Sequence, residues 1–221
     1  MQSRSWLSAV LAVTALLTLA ATVQAQTNPL KNPEQGTPAV KSIECLSFGP
    51  DGLLLIGDGK AHQVIAVETG DTKKTAWAKT EVADIANVLA GKLGAAAKDI
   101  QILKMAVNPV SQTAYFAVRV NKKDVILTVD GAGKVGEFAL ENVKFATVAL
   151  PEDAGVTSVT GVSWAGDRIL VTALSKDTFA NKCFSILTPL GKDSFTWQST
   201  ERTVNDEDAP DIAPIKVTRV K

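Results

Sequence analysis

Short apolar alternations, separated by tight turns, run through the middle of the chain. The stretch Leu46 to Gly59, LSFGPDGLLLIGDG, joins an alternating segment, a Pro-Asp-Gly turn and a second apolar segment. Turn residues between two β-rich runs are typical of a β-hairpin. We therefore predict one strand at Leu46 to Phe48 and its neighbour at Leu53 to Ile56.

This arrangement recurs along the chain. Phe48, Val107 and Trp164 each end an alternating segment that precedes a turn and a second apolar run. The second halves also match, each with a β-branched strand, a glycine turn and a further strand ending on an aromatic residue, at Gln63 to Trp77, Asp124 to Phe138 and Cys183 to Trp197. Repeated four-stranded sheets are the sequence signature of a β-propeller. A β-sandwich whose hairpins resemble one another by chance is the alternative.

The pattern thus predicts an all-β, β-propeller-like array of about three four-stranded antiparallel blades, at about 42–81, 99–141 and 157–200. Apolar residues at helical spacing in VADIANVLAGKLG, Val82 to Gly94, predict one inserted helix. The connection from Asn142 to Gly155 is looser, with a short strand at KFATVAL.

Ring closure is the open question of this architecture, because closed propellers generally have four to eight blades. The C-terminal DIAPIKVTRVK is either the first strand of a fourth blade or a strand that closes on the first sheet. Three explanations account for the low number of blades: the chain is part of a longer propeller, an oligomer completes the ring, or the three sheets form an open arc.

The first 25 residues differ in character from the rest. Arg4 precedes an apolar run from Trp6 to Ala21, and Val23-Gln24-Ala25 places small residues at a cleavage site. We predict a signal peptide at 1–25, cleaved after Ala25, and an exported protein of the periplasm or the extracellular space. The run is shorter than the roughly 20 residues that span a bilayer, and the mature chain has no second apolar run of that length, so no integral membrane segment is expected there. A flexible, Pro-containing lead-in, 26–41, precedes the domain at 42–221.

Charge and cysteine content narrow the partners and the chemistry. The chain has 23 Lys and Arg residues and 23 Asp and Glu residues, which does not indicate a nucleic-acid-binding surface. Cys45 and Cys183 either form a disulfide in an oxidising compartment or remain as buried thiols. His62 is the only histidine and is interpreted as a surface residue, so no zinc or haem site is expected.

Carboxylates recur beside glycine at the predicted hairpin ends. These candidate residues are Asp51, Asp58, Asp71, Asp130 and Asp167. Asp and Gly are first of all turn-forming residues, because Asp bonds its own backbone and Gly adopts positive φ. The alternative is a site for Ca²⁺ or another divalent metal, built from loop carboxylates and carbonyls.

The stretch SIECLSFGPDGLLLIGDGKAHQVIAVETGD resembles the blades of secreted bacterial propeller families, the NHL, YVTN and gluconolactonase-like repeats. It is also similar to exported bacterial proteins with a VDGAGK-type hairpin in the next unit, whose first half the chain would match from Ser42 to about Phe179. Likeness to the gluconolactonase group implies a divalent metal held by Glu, Asn and Asp. Glu44 and Asn108 lie in suitable inner-strand regions, although the flanking signature of those enzymes is missing.

Taken together, these observations predict an exported, non-enzymatic propeller-type module that binds a protein, a glycan or a small ligand on its loop face without a cofactor. A homo-oligomer would complete the ring. One alternative is a metal-dependent, lactonase-like hydrolase that uses the loop carboxylates. A further alternative is a truncated propeller fragment without activity.

Overall fold

A computed structural model of the chain describes residues 28–75, 81–176, 180–191, 194, 196–202 and 216–220. The signal peptide predicted at 1–25 lies outside the described residues. Within them, no helix is both long and apolar enough to cross a membrane. The helix α1 spans Ile85–Lys92, and the strands, in chain order, are β1 (Glu34–Gly36), β2 (Cys45–Phe48), β3 (Leu53–Asp58), β4 (Gln63–Glu68), β5 (Ile100–Val107), β6 (Ala114–Val120), β7 (Lys123–Val129), β8 (Val135–Glu137), β9 (Val143–Ala149), β10 (Val156–Trp164), β11 (Arg168–Ser175), β12 (Ala180–Leu187), β13 (Thr196–Arg202) and β14 (Lys216–Val220).

The strands form three antiparallel sheets. The strand order is β1-β9-β4-β3-β2 in sheet 1, β5-β6-β7-β8 in sheet 2 and β10-β11-β12-β13-β14 in sheet 3. The predicted all-β class with three antiparallel sheets is therefore confirmed, and sheet 2 has the simple up-and-down order of the repeat. One edge strand of each sheet lies at the same place in the molecule, with β2 in contact with both β5 and β10.

Sheet 1 differs from the predicted unit in the origin of its outer strand. The repeat predicts that strand before Trp77, but residues 69–75 form no strand, and 76–80 lie outside the described residues. β9 takes this place and pairs along the whole of β4, with Val148 opposite Val64. Its apolar alternation explains the exchange, because Ala146 and Val148 join the buried core whereas residues 72–75 are exposed.

Both ends of the domain also differ from the sequence expectations. The lead-in, over its described part, is built into the fold, since β1 pairs with β9 and Leu30 is buried with 3% exposure. The C-terminal strand β14 pairs with β13 as a fifth strand of sheet 3. It therefore neither begins a fourth sheet nor closes on the first. Its hydrogen-bonding partner is the outer edge of β13, from Thr196 to Thr200.

Three apolar layers hold the sheets in a stack. One face of sheet 1 packs on sheet 3, with Leu55 and Val64 in the same cluster as Phe184. The opposite face of sheet 1 packs on sheet 2, where Ile56 and Ile126 share a cluster. The far face of sheet 2 is covered by α1 through Leu89, Phe116 and Leu127, among other residues.

The inserted helix agrees with the helical spacing in the sequence. Asp84 caps its N-terminus by accepting a hydrogen bond from the N–H of Asn87, and Lys92 lies in the last turn. Leu89 is fully buried against sheet 2. The helix thus closes one end of the sheet stack.

Candidate functional site

The carboxylate of Asp58 is completely buried at the end of β3. It accepts hydrogen bonds from the backbone N–H groups of Lys41 (2.6 Å), Ser42 (3.1 Å) and Ala61 (3.0 Å). The Ser42 hydroxyl and the Gln63 amide also donate to it, at 3.1 Å and 3.4 Å. Every acceptor direction that this carboxylate offers is therefore used inside the protein, which makes it an anchor of the fold and not a ligand-binding group.

The same segment, Ser42 to Glu44, links all three sheets. The N–H of Ile43 donates to Asp124 of sheet 2 at 3.0 Å. The carboxylate of Glu44 accepts from Ser158 of sheet 3 at 2.6 Å and from Ser42 at 3.3 Å. Glu44 therefore serves the junction of the sheets: Ser158 donates to one of its oxygens, and the Ser42 hydroxyl, whose single proton Glu44 shares with Asp58, lies beside the other.

Asp124 is the second carboxylate of this junction. Arg119 donates to both of its oxygens, at 2.6 Å and 2.9 Å. Burial of Asp124 opposes its ionisation, but the hydrogen bonds from Arg119 and Ile43 and the positive charges of Arg119 and Lys60 prevail, so the pKa of Asp124 is lowered.

Asp71 forms a different kind of network, between the loop after β4 and sheet 2. Its Oδ2 atom accepts hydrogen bonds from the amide of Asn108 (3.1 Å), the hydroxyl of Ser111 and the phenol of Tyr115 (3.2 Å). All three donors are neutral and lie in buried residues of sheet 2 or its first turn. Oδ1 of Asp71 has no donor among the described residues, so one carboxylate oxygen is oriented by the protein and left free to accept.

Burial and the negative charge of Asp71 raise the pKa of Tyr115 well above its usual range. The phenol therefore remains a donor at all ordinary pH values. Its ring packs edge-to-face between Phe48 and Phe138, with ring centroids 5.0 Å and 5.6 Å away. The donor that orients Asp71 is thus itself fixed by aromatic contacts from both sheets.

The Pro-Asp-Gly turn explains why Asp71 lies where it does. Asp51 and Gly52 adopt the left-handed conformation, with φ of 53° and 73°. A Cβ atom on Gly52 would lie 2.7 Å from the carbonyl oxygen of Asp71, so only glycine permits this approach. The amide of Asn108 donates to the same carbonyl oxygen at 2.7 Å, which closes the contact between the two sheets.

An open cavity of about 340 Å³ lies beside this network, which we call the Asp71 cavity. It combines carboxylates, a lysine, hydroxyl groups and aromatic rings on one concave surface. Its walls are formed by Asp71, Thr113, Tyr115, Thr128, Asp130, Lys134, Gly136, Glu137 and Phe138. The cavity thus brings together two of the predicted site residues, Asp71 and Asp130, with Asn108 directly behind Asp71.

Asp51, Asp130 and Asp167 mainly serve their own turns, although Asp130 also lines the cavity. Asp51 is exposed on its turn, and Asp130 mainly organises its own turn by accepting from the N–H groups of Ala132 and Lys134 at 2.9 Å each. Asp167 is exposed and pairs with its chain neighbour Arg168 at 2.8 Å. Turn formation is therefore the main role of these residues, as Asp beside Gly commonly indicates.

The two cysteines form no disulfide, so the structure has the thiol alternative. Cys45 is buried, and burial raises its pKa to about 11 against the opposing charge of Lys104. Cys183 lies on β12, opposite Thr172 of β11. His62 is exposed in a left-handed turn, as its interpretation as a surface residue required.

No group of three or more His, Cys, Asp or Glu residues in the described part of the chain is arranged to hold a metal ion. Glu44 and Asn108, which the lactonase resemblance implies as joint ligands, belong to two separate networks with no shared partner. The structure therefore does not assemble the implied constellation from these residues.

Comparisons with protein-family models, with curated proteins and with solved structures found no match to this chain. The candidate site consequently rests on geometry alone. Its decisive donors, Ser111 and Tyr115, carry no sequence motif, although Tyr115 is the chain's only tyrosine. These donors reach Asp71 through contacts between two sheets, from about 40 positions away in the chain. Sequence patterns do not indicate such contacts.

Proposed function

We propose that this chain is an exported, non-enzymatic binding module with a propeller-like arrangement of sheets, and that it binds a glycan in the Asp71 cavity. The observation that carries the proposal is the Asp71 carboxylate, with Oδ2 held by three neutral donors and Oδ1 free of donors among the described residues. Sugar hydroxyls are donors that such a preorganised acceptor suits.

The other walls of the cavity support a polyhydroxylated ligand. Asp130 and Glu137 add acceptors, while Lys134 and Thr128 add donors. Phe138 contributes apolar surface for the C–H face of a sugar ring. A concave surface that mixes a few fixed polar groups with aromatic surface is the usual composition of a small-ligand site, and about 340 Å³ falls in the usual size range.

The arrangement of the sheets supports the propeller-like part of the proposal. The edge strand β2 of sheet 1 contacts the edge strands β5 and β10 of the other two sheets, as inner strands do in blades around an axis. The sheets stack face to face through apolar layers, as neighbouring blades would. Export is supported by the N-terminal sequence pattern alone.

A glycan array, followed by titration calorimetry of the best-retained glycan, tests the binding site. We expect Glu137→Gln and Asp130→Asn each to weaken binding at least fivefold, because each replaces a charged acceptor in the cavity by a neutral one. Asp130→Asn retains an acceptor for the N–H groups of Ala132 and Lys134, so its turn should persist. The matched control, Glu141→Gln, changes an exposed carboxylate outside the cavity and should alter the affinity less than twofold.

The proposal fails if no glycan is retained, or if both cavity variants bind as the unchanged protein does. Mass spectrometry of the bound glycan, and of a lactone panel incubated with the protein, tests the non-enzymatic part. Recovery of unaltered compounds is expected. Turnover that is lost in Asp71→Ala would instead support a hydrolase acting at the same cavity.

A further inference from the structure

A second concave site lies between sheet 1 and sheet 3, and it shares no wall residue with the Asp71 cavity. It has a volume of about 480 Å³ and is bounded by the lead-in, β9 and the loop after β12. Lys31 and Asn32 come from the lead-in, Ala146 and Thr147 from β9, and Leu187 and Pro189 from sheet 3 and its loop. We call it the Lys31 cavity.

The lead-in is fixed at this cavity by the backbone and by an apolar anchor. The N–H of Lys31 donates to the carbonyl of Leu190 at 2.7 Å, and the N–H of Leu190 donates to Pro29 at 2.8 Å. Leu30, between the two, is buried among residues of sheets 1 and 3. A Cβ atom on Gly191 would lie 3.1 Å from the Lys31 carbonyl oxygen, so the absence of a side chain there permits the close approach.

The cavity wall presents donors that the protein does not use. Lys31, Asn32 and Thr147 have no side-chain hydrogen bond or ion pair among the described residues, and all three lie on the same concave surface. The hydroxyl of Thr188, by contrast, is already bound to the carbonyl of Asp167 at 2.7 Å. An ammonium, an amide and a hydroxyl form a donor set that matches a carboxylate.

The other residues of the wall indicate the polarity and the charge of the ligand. Ala146 is 5% exposed, Leu187 is half-buried and Pro189 has no N–H group to offer. The carboxylate of Glu34 also lies in the wall and disfavours a ligand that carries a second negative charge. These groups favour a single carboxylate attached to an apolar body.

We propose that the Lys31 cavity binds a small monocarboxylate with an apolar body, whose carboxylate is held by Lys31, Asn32 and Thr147. The site is independent of the glycan proposal, because the two cavities share no residue. Binding would also connect the lead-in to sheet 3, since the ligand contacts both.

Three probes of the same shape test the requirement for a carboxylate: 3-phenylpropionate, 3-phenylpropanol and 3-phenylpropylamine, each titrated into the full chain by calorimetry and by ligand-observed NMR. Only 3-phenylpropionate should bind in the millimolar range or tighter. We expect Lys31→Gln to weaken it about tenfold or more, because a charge-assisted hydrogen bond is lost. Lys31→Arg should retain most of the binding, and Glu34→Gln should strengthen it two- to threefold.

Lys98→Gln is the matched control, since Lys98 is an exposed lysine far along the chain and outside the cavity. Its affinity for 3-phenylpropionate should be unchanged, and the melting temperatures of all four variants should stay close to that of the unchanged protein. Equal binding of the three probes, no binding of 3-phenylpropionate, or a Lys31→Gln variant that binds normally would each overturn the proposal.

Discussion

Asp58 ends strand β3 of sheet 1 and Asp71 follows strand β4 of the same sheet, yet their carboxylates obtain hydrogen bonds from different sources. Asp58 is bound mainly by backbone N–H groups of nearby chain, from Lys41 to Ala61, and it is completely buried. The carboxylate of Asp71 is bound by side chains only, all from sheet 2 or its first turn, and it borders an open cavity.

This difference separates an anchor of the fold from a group available for binding. Backbone donors around a buried carboxylate fix the course of the chain and consume its acceptor capacity. Side-chain donors that meet on one oxygen hold the carboxylate in place and leave the other oxygen available. Hence two Asp residues with similar sequence surroundings are expected to respond differently when each is changed.

Asp58→Ala should have the largest effect on stability. It leaves the buried N–H of Ser42 and the partly buried N–H groups of Lys41 and Ala61 without an acceptor, and each unsatisfied buried group costs about 1–3 kcal/mol. We expect the free energy of unfolding to fall by about 3 kcal/mol or more, measured by urea denaturation. The control Asp167→Asn, on an exposed turn, should change it by less than about 0.5 kcal/mol.

A stable Asp58→Ala variant would contradict the conclusion that Asp58 is an anchor of the fold. A loss of less than about 1 kcal/mol would mean that water or other groups satisfy the freed donors, and that Asp58 is no more an anchor than Asp167 is. A variant too unstable to purify would leave Asp58→Asn, which keeps one acceptor oxygen, as the measurable case. Its loss should lie between those of Asp58→Ala and Asp167→Asn.

Asp71→Ala should destabilise the protein less, by about 1–2 kcal/mol, because Asp71 is only half-buried. Its main stability cost comes from the freed phenol of Tyr115 and the freed hydroxyl of Ser111. Tyr115→Phe removes one of these donors, so the two changes should be less costly together than the sum of their separate effects. A double-mutant cycle by urea denaturation measures this coupling, expected at about 0.5–1 kcal/mol.

Additive effects would show that the Tyr115 phenol contributes nothing to the hold on Asp71. The binding data provide the second half of the comparison. Asp71→Ala should abolish glycan retention in the Asp71 cavity, whereas an Asp58→Asn protein that remains folded should bind the glycan normally.

The hairpins, the helix and the all-β class could be predicted from the sequence because they depend on local periodicity. The turn at Asp51 and Gly52 and the helix near Leu89 are cases in which neighbouring residues determine the structure. The outer strand of sheet 1 could not be predicted in this way. β9 pairs with β4 across some 80 residues of chain. The alternation in each segment predicts a strand, but it does not indicate which strand will be its neighbour.

The site follows the same division. Turn carboxylates such as Asp130 were recognisable from their glycine neighbours, but the sequence did not distinguish Asp58 from Asp71. That distinction depends on which donors arrive from other sheets. Lys31, in a segment expected to be flexible, carried no sequence signal, because its position depends on a backbone pairing with Leu190.

The smallest effect is expected at Asp124, the third carboxylate, which combines a backbone donor with an ion pair. Its folded-state pKa is lowered, so its contribution to stability is present above the ordinary carboxyl pKa near 4 and is lost as the pH falls through the folded value. Arg119→Met removes the cation, and Arg119 is 35% exposed, so the pH-dependent loss should stay below about 1 kcal/mol.

Urea denaturation from pH 7 to pH 2 measures this difference between the unchanged protein and Arg119→Met. The difference in the free energy of unfolding between the two proteins should be constant above pH 5. It should become smaller towards low pH, because protonated Asp124 is no longer stabilised by the guanidinium of Arg119. Arg168→Met is the matched control: Arg168 pairs with its chain neighbour Asp167, and adjacent residues keep much of that attraction in the unfolded chain. The stability difference between Arg168→Met and the unchanged protein should therefore not vary with pH. If the difference for Arg119→Met is equally independent of pH, Asp124 is held by the N–H of Ile43 and not by its ion pair.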